Sequence, residues 1–174
     1  MPLVVVSSLS AVERTIEAYR PSHMVTLLSP EYMIETPPQI AAARHLRLAL
    51  NDVIDVWASE SPPGEHHIAN LIAFGRAWNA DAPMLVHCWA GISRSMAAAY
   101  TLLCDRAGPG CEFEIARELR ARAAHAYPNA LMIKLADRAL GREGRMIEAV
   151  TSIGRGEIVA EGCCVAFPLA LAGR

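Results

Sequence analysis

The stretch Pro83-Met84-Leu85-Val86-His87-Cys88-Trp89-Ala90-Gly91-Ile92-Ser93-Arg94-Ser95 indicates the fold of this sequence of 174 residues. Its first five residues form a short, mostly apolar run, which is typical of a strand in the middle of a parallel sheet. A helix rich in small residues is predicted from Ser95 to Asp105. The loop from Cys88 to Arg94 therefore leaves the carboxyl end of a central strand and enters a helix, which is where ligands bind in open α/β sheets.

Segments of strand and helix character alternate along the rest of the chain. Strands are predicted at residues 3–7, 23–28, 44–50 and 83–87, and a long loop at 51–64. Ser10 and Glu13 match a capping box that would open a helix running to Tyr19. Further helices are predicted at residues 65–79, 95–105, 112–125, 129–140 and 143–152.

This alternation predicts one α/β domain that spans residues 1–174. We expect a mostly parallel central sheet of about four to five strands with helices on both faces. Residues 154–174 are expected to form a C-terminal tail packed on the domain.

Composition and charge narrow the classes of function. Sixteen basic and eighteen acidic side chains give a formal net charge of −2, and no basic run suggests binding to nucleic acid or to a membrane. The N-terminus lacks the features of a signal peptide, and no apolar run reaches membrane-spanning length. The five cysteines are odd in number and lack the spacing of a metal site, so we expect free thiols, no metal, no cofactor and a cytoplasmic location.

The loop between Cys88 and Arg94 has the features of an anion site. Consecutive N–H groups before a helix converge on one point, and Gly91 permits backbone conformations closed to other residues. The backbone of residues 89–94 and the Arg94 side chain would then bind phosphate, with the guanidinium contacting two oxygens. The same donors would stabilise Cys88 as a nucleophilic thiolate.

Two neighbours of Cys88 and Arg94 complete the set of candidate catalytic residues. Ser95 can donate its hydroxyl to the thiolate when sulfur becomes the leaving group. His87 is expected to hold the loop and tune Cys88 through hydrogen bonds rather than act as a base. Trp89 is expected either to shape the pocket wall or to pack on the neighbouring helix.

Cys88 to Ser95 resembles the Cys-x5-Arg-Ser/Thr signature of the protein tyrosine phosphatases. The fuller string His-Cys-x-Ala-Gly-x-Ser-Arg-Ser is most similar to the dual-specificity branch, and residues 128–137 resemble small bacterial tyrosine-phosphatase-like proteins. The resemblance covers about residues 45–150. It implies a tyrosine-phosphatase-like fold and hydrolysis of a phosphomonoester through a phosphocysteine intermediate.

The resemblance also implies a general acid, an Asp on a loop some thirty residues before the cysteine. Leu48-Ala49-Leu50-Asn51-Asp52 matches the dual-specificity pattern, so Asp52 is the preferred candidate, ahead of Asp55 and then Glu60. The alternative is that Asp52 and Asp55 are merely solvated carboxylates, which would leave a slower enzyme.

The predicted substrate is a phosphorylated protein or a small aryl phosphate. The variable loop positions carry no lysine or second arginine, which disfavours substrates with several phosphates. A phosphate-reading or scaffold module with little turnover, or a phosphatase of non-protein phosphoesters, remains an alternative. The sequence leaves open tyrosine-only against dual specificity, the oligomeric state, redox regulation of Cys88, and whether His66-His67 lines the cleft or forms a solvated helix start.

Overall fold

A five-stranded sheet forms the centre of the computed structural model, which describes residues 2–169. The strands are β1 (Leu3–Ser8), β2 (His23–Leu28), β3 (His45–Ala49), β4 (Met84–Cys88) and β5 (Val165–Pro168). They lie in the order β3-β2-β4-β1-β5. Strands β1 to β4 are mutually parallel, and β5 is antiparallel to β1, so the predicted α/β fold with a mostly parallel sheet is confirmed.

The four parallel strands agree with the predicted ones to within one residue at each end. Every residue of β4 is buried, because this strand lies between β1 and β2 and is covered on both faces. A strand in that position is typically a nearly continuous apolar run, which explains why the sequence pattern predicted it. His87 is the polar exception in this strand, and it leads directly into Cys88.

The fifth strand was not predicted. Val165–Pro168 pairs antiparallel with β1 and places Phe167 in the core. Without it, β1 would be an open edge of the sheet with unpaired backbone groups. The predicted tail thus contributes a strand, and its residues 170–174 lie outside the described part of the chain.

Six helices cover the two faces of the sheet in the described residues. They are α1 (Val12–Tyr19), α2 (Glu65–Ala77), α3 (Arg94–Ala107), α4 (Glu112–Arg122), α5 (Ala130–Ala139) and α6 (Arg145–Ser152). Val12 and Ile16 of α1 pack with Leu85 of β4 on one face. The other face, which includes Val86, packs in a larger core with the remaining helices. None of these helices is long and apolar enough to span a membrane.

The predicted capping box at Ser10 is wrong. A 3-10 turn occupies Leu9–Ala11, and the N-cap of α1 is Ala11, which makes no side-chain capping bond. The Ser10 hydroxyl instead donates to Glu161 in the C-terminal segment. A contact with a residue distant in sequence has therefore replaced the local one.

A buried ion pair joins the helices behind the sheet. Glu112 and Arg142 are 1% and 4% exposed, and the Oε1 and Nη1 atoms lie 3.4 Å apart. Gly110 N donates to Glu112 Oε2 at 3.0 Å, and Arg142 Nη2 donates to the Cys104 carbonyl at 2.9 Å. These bonds connect α3, α4 and the loop after α5, so the helix layer that supports the loop after β4 is held together by polar contacts as well as by packing.

Candidate active site

The loop after β4 is oriented by hydrogen bonds to its carbonyl groups. The carbonyls of Trp89, Ala90, Ile92 and Ser93 accept, respectively, from the backbone N–H groups of Leu9, Gly162, Tyr127 and Asn129, at 2.8 to 3.3 Å. In a trans peptide unit, a carbonyl and the next N–H point in opposite directions, and the described chain has no cis peptide bonds. The N–H groups of residues 90, 91, 93 and 94 therefore point to the inner side of the loop. This arrangement forms a nest for an anion.

Gly91 is required by the shape of this loop. Its φ is +72°, in the left-handed region that favours glycine. A Cβ atom here would also lie 2.9 Å from the backbone of Ser7 and Ser8, at the end of β1. The loop thus packs directly against the neighbouring strand, and only glycine fits.

Cys88 lies at the floor of the nest and is 1% exposed. Its Sγ is 3.1 Å from Ser95 Oγ, and it accepts from Gly91 N at 3.3 Å. The sulfur also lies beside the N-terminus of α3, which begins at Arg94. The Sγ atom therefore has a hydroxyl and a backbone N–H as polar neighbours at the start of a helix.

Arg94 is 5% exposed and is anchored from one side. Its Nη1 donates to the Leu50 carbonyl at 2.8 Å, and Leu50 N donates in turn to Leu28 O at the end of β2. Its Nε has no hydrogen-bond partner in the described residues. This Nε is ion-paired with Asp52 Oδ2 at 3.6 Å, a distance that leaves its N–H without a hydrogen-bond acceptor.

Asp52 contacts the loop after β4 from the segment that follows β3. Its Oδ1 accepts from Ser93 Oγ at 2.7 Å, and its Oδ2 lies 3.6 Å from Arg94 Nε. Asp55 has a different role, since it is exposed and its carboxylate accepts from the backbone N–H of Trp57 in its own turn. Glu60 is also exposed. Of the three predicted carboxylates, Asp52 is the one that contacts the loop.

Asn129 also contacts Asp52, and the sequence analysis missed it. Its Oδ1 accepts from Met132 N at 3.0 Å and so caps α5, while its Nδ2 donates to Asp52 Oδ1 at 2.8 Å and to Val53 O at 3.1 Å. An asparagine before a helix signals an N-cap. The contact with a residue 77 positions away carries no local signal.

Two buried histidines are joined by a threonine behind Cys88. Thr26 Oγ1 lies 2.7 Å from Nε2 of both His87 and His45, and His45 Nδ1 lies 2.9 Å from Thr36 Oγ1. The Thr26 hydroxyl can donate to only one of the two rings and accepts from the other. The tautomers of the two histidines are therefore linked.

Burial lowers the pKa of His87 and of His45 to about 4. For His87, the nearby His45 and Arg94 lower the pKa further, whereas the Cys88 backbone opposes this shift. For His45, Arg47 acts in the same direction as burial, and Glu35 opposes it. Both rings are therefore neutral at neutral pH, which suits hydrogen bonding within the fold.

Two aromatic side chains stand at the mouth of the site. A cavity of about 260 Å³ is lined by Ser29, Tyr32, Trp89 and Arg94. The rings of Tyr32 and Trp89 meet edge to face at 5.0 Å, and each residue is 54% exposed. Trp89 thus forms part of the pocket wall, and Tyr32 is a wall residue that the sequence analysis missed.

The remaining polar candidates lie elsewhere. His67 is buried, and its Nδ1 accepts from Gly64 N at 3.0 Å at the start of α2, so it caps a helix. Burial raises the pKa of Cys104 to about 12, which leaves this thiol unreactive at neutral pH. Within residues 2–169, no three His, Cys, Asp or Glu side chains cluster as metal ligands would.

Comparisons with known proteins identify the fold. No family model matches the sequence, and no relative is found among curated proteins. Among solved structures, the dual-specificity phosphatase DUSP15 is 18% identical, with a TM-score of 0.63 and 88% of each chain covered. Human DUSP28 is 17% identical, with a TM-score of 0.56 over 81% of this chain and 94% of the other. PTPMT1 is 17% identical, with a TM-score of 0.53 over 86% of this chain and 92% of the other. The chain therefore has the fold of the cysteine-based tyrosine phosphatases of the dual-specificity type.

Proposed function

We propose that this protein is a cysteine-dependent phosphatase that hydrolyses phosphomonoesters through a phosphocysteine intermediate on Cys88. The observation that carries this proposal is the site itself: a buried sulfur lies at the floor of an N–H nest, and the nest ends at the buried Arg94, whose Nε makes no hydrogen bond within the described residues. In this proposal, the phosphate is held by the backbone of residues 89–94 and by Arg94. The similarity of this fold to the folds of DUSP15 and DUSP28 supports the same reaction class.

In the first step, the Cys88 thiolate attacks phosphorus in line with the ester oxygen. The S–P bond forms as the P–O bond to the leaving group breaks. Protonated Asp52 donates its proton to the departing oxygen. The contacts of Asp52 with Ser93 and Asn129 hold this carboxyl beside the loop.

In the second step, water attacks the phosphocysteine and loses its proton to the Asp52 carboxylate. The S–P bond breaks and inorganic phosphate leaves. The electron pair returns to sulfur, where Ser95 Oγ, 3.1 Å away, stabilises the thiolate by donating a hydrogen bond. His87 remains neutral and holds the end of β4 through Thr26.

The proposed substrate is an aryl phosphate, with phosphotyrosine in a protein as the first choice. Tyr32 and Trp89 offer apolar ring surface at the mouth of the cavity that Arg94 lines. Arg94 is the only basic side chain among its lining residues, which favours singly phosphorylated substrates.

Phosphate release from p-nitrophenyl phosphate tests the reaction. The wild type is expected to turn over this substrate, Cys88→Ser to lose at least about 10³-fold in kcat, and Cys163→Ser, an exposed control, to keep wild-type activity. Rapid quenching and mass spectrometry should detect one phosphoryl group on the peptide that contains Cys88. A protein that binds a phosphopeptide but releases no phosphate would instead be a phosphate-reading module.

The matched pair Asp52→Ala and Asp55→Ala tests the general acid. With phenyl phosphate, a poor leaving group, Asp52→Ala should lower kcat about 10²–10⁴-fold, since the leaving oxygen must depart without a proton. Asp55→Ala should stay near the wild-type rate because its carboxylate serves only its own turn. The opposite result would assign the acid to Asp55.

A further inference from the structure

A second cavity adjoins the candidate active site. It encloses about 350 Å³ and lies between the segment after β3, the start of α5 and the end of α6. Its main lining residues are Ile54, Ser93, Tyr127, Pro128, Asn129 and Val150. We call this cavity the flanking pocket.

The flanking pocket is continuous with the catalytic loop. Ser93 lies in that loop, and both Ser93 and Asn129 contact Asp52 as well as the flanking pocket. Tyr127 N donates to the Ile92 carbonyl at 3.0 Å, so this wall is held in register with the nest. A group bound here would lie beside the loop that is proposed to hold the phosphate.

The walls of the flanking pocket are mainly apolar and open to solvent. Ile54 is 72% exposed and Tyr127 is 52% exposed, although both line a concave surface. Concave apolar surface of this kind is typical of a binding site, since an apolar group that enters it removes both surfaces from water. An aliphatic side chain fits this chemistry.

One cation stands at the rim of the flanking pocket. The Arg155 guanidinium lies over the Tyr127 ring, 5.6 Å from its centre. It makes no ion pair with a carboxylate in the part of the chain that the structure describes. Its charge therefore complements an acidic residue.

We infer that the flanking pocket binds the side chain next to the phosphotyrosine of a protein substrate, and that it selects an aliphatic residue followed by an acidic one. The inference rests on the proposed phosphatase function, because it assigns specificity to the same site. Small aryl phosphates do not reach the pocket, so their turnover is independent of it.

Phosphotyrosine peptides test this specificity. The probes are phosphotyrosine peptides that carry Gly, Leu, Leu-Glu or Leu-Gln beside the phosphotyrosine. Each of the four additions is made once on the N-terminal side and once on the C-terminal side, which gives about eight peptides. On one of the two sides, Leu should raise kcat/KM roughly tenfold over Gly, the effect expected for a partly buried aliphatic group. On that side, the Leu-Glu peptide should have a higher kcat/KM than the Leu-Gln peptide, and Arg155→Ala should remove this difference.

Three variants separate the pocket from the chemistry. Thr151→Phe fills the flanking pocket from the surface of α6, and Ile54→Ser removes one wall. Both should abolish the preference for Leu while kcat/KM for p-nitrophenyl phosphate stays within about twofold of wild type. Ile147→Ala, an exposed residue of α6 outside the pocket, is the control and should leave both values unchanged.

The outcomes of the two measurements are distinct. Equal kcat/KM for the Gly and Leu peptides on both sides, with p-nitrophenyl phosphate still hydrolysed, would overturn the inference and leave the proposed function standing. A preference for Leu that persists in Thr151→Phe and Ile54→Ser would place the selective contact elsewhere and also overturn the inference. Failure to hydrolyse any aryl phosphate would instead contradict the proposed function.

Discussion

The Asn129 side chain has two roles, and two different substitutions should distinguish them. Its Oδ1 caps α5 through Met132 N, whereas its Nδ2 holds Asp52 beside the catalytic loop. Asn129→Ala removes both functions. Asn129→Asp keeps an oxygen for the cap but replaces the donor with a second carboxylate oxygen that faces Asp52. The two variants should therefore differ in stability and agree in their effect on proton transfer.

The magnitudes follow from the contacts. Loss of an N-cap costs about 1 kcal/mol, and loss of a donor to a partly exposed carboxylate costs roughly another 1 kcal/mol. We expect Asn129→Ala to lower the free energy of unfolding by about 2 kcal/mol. A displaced Asp52 should lower the rate roughly 10–100-fold for a substrate whose leaving group needs a proton.

The assay compares leaving groups. Phenyl phosphate depends on general acid help, while p-nitrophenyl phosphate has a better leaving group and depends on it less. The rate for phenyl phosphate divided by the rate for p-nitrophenyl phosphate should fall at least about tenfold in both Asn129 variants. Urea unfolding should show the larger loss of stability in Asn129→Ala. A purely structural role for Asn129 would leave this ratio unchanged, and an unchanged ratio in Asn129→Asp would refute the positioning of Asp52 by this side chain.

Further predictions concern the loop, the helix layer and the buried histidines. Gly91→Ala should lower the free energy of unfolding by roughly 2 kcal/mol or more and nearly abolish phosphate release. The reasons are that φ is +72° at this position and that the new Cβ would meet the β1 backbone. Phosphate release at the wild-type rate would contradict this account. In urea titrations, Glu112→Gln should lower the free energy of unfolding by about 3–5 kcal/mol, because it leaves the buried Arg142 guanidinium uncompensated. The control Glu114→Gln, at an exposed position, should change the free energy of unfolding by less than about 0.5 kcal/mol. The pKa values of His87 and His45 lie near 4, below the ordinary 6.5, so their stabilisation is complete above pH 6.5 and is lost as the pH falls toward 4. By pH 5 we expect the free energy of unfolding to fall by on the order of 2 kcal/mol for each ring, measured by urea unfolding at pH 7 and pH 5. His87→Asn should make this pH dependence less steep, and an equally steep dependence in that variant would count against the explanation.

Much of the fold could be predicted from short-range patterns. The strands β1, β2 and β4 bury most of their side chains, so each appears in the sequence as a compact apolar run. The edge strand β3 buries only two of its five residues and appears instead as an alternation of polar and apolar residues. The edge strand β5 could not be predicted in this way, because Val165–Pro168 is short and is ordered only by pairing with β1. The capping box at Ser10 was predicted wrongly for a similar reason, because its hydroxyl bonds to Glu161, a residue distant in sequence.

The contiguous loop from Cys88 to Ser95 was determined by the sequence alone. Its strand, turn and helix start follow one another in the chain, so the sulfur, the N–H groups and Arg94 could be assigned to one loop from their order alone. The exact orientation of that loop comes from hydrogen bonds with residues distant in sequence. The contacts that complete the site were decided by the tertiary structure. Asp52 meets Asn129 across 77 positions, and Thr26 joins two histidines from neighbouring strands. Those contacts depend on the strand order β3-β2-β4-β1-β5, and local propensity does not encode strand order because it arises only when the whole core packs.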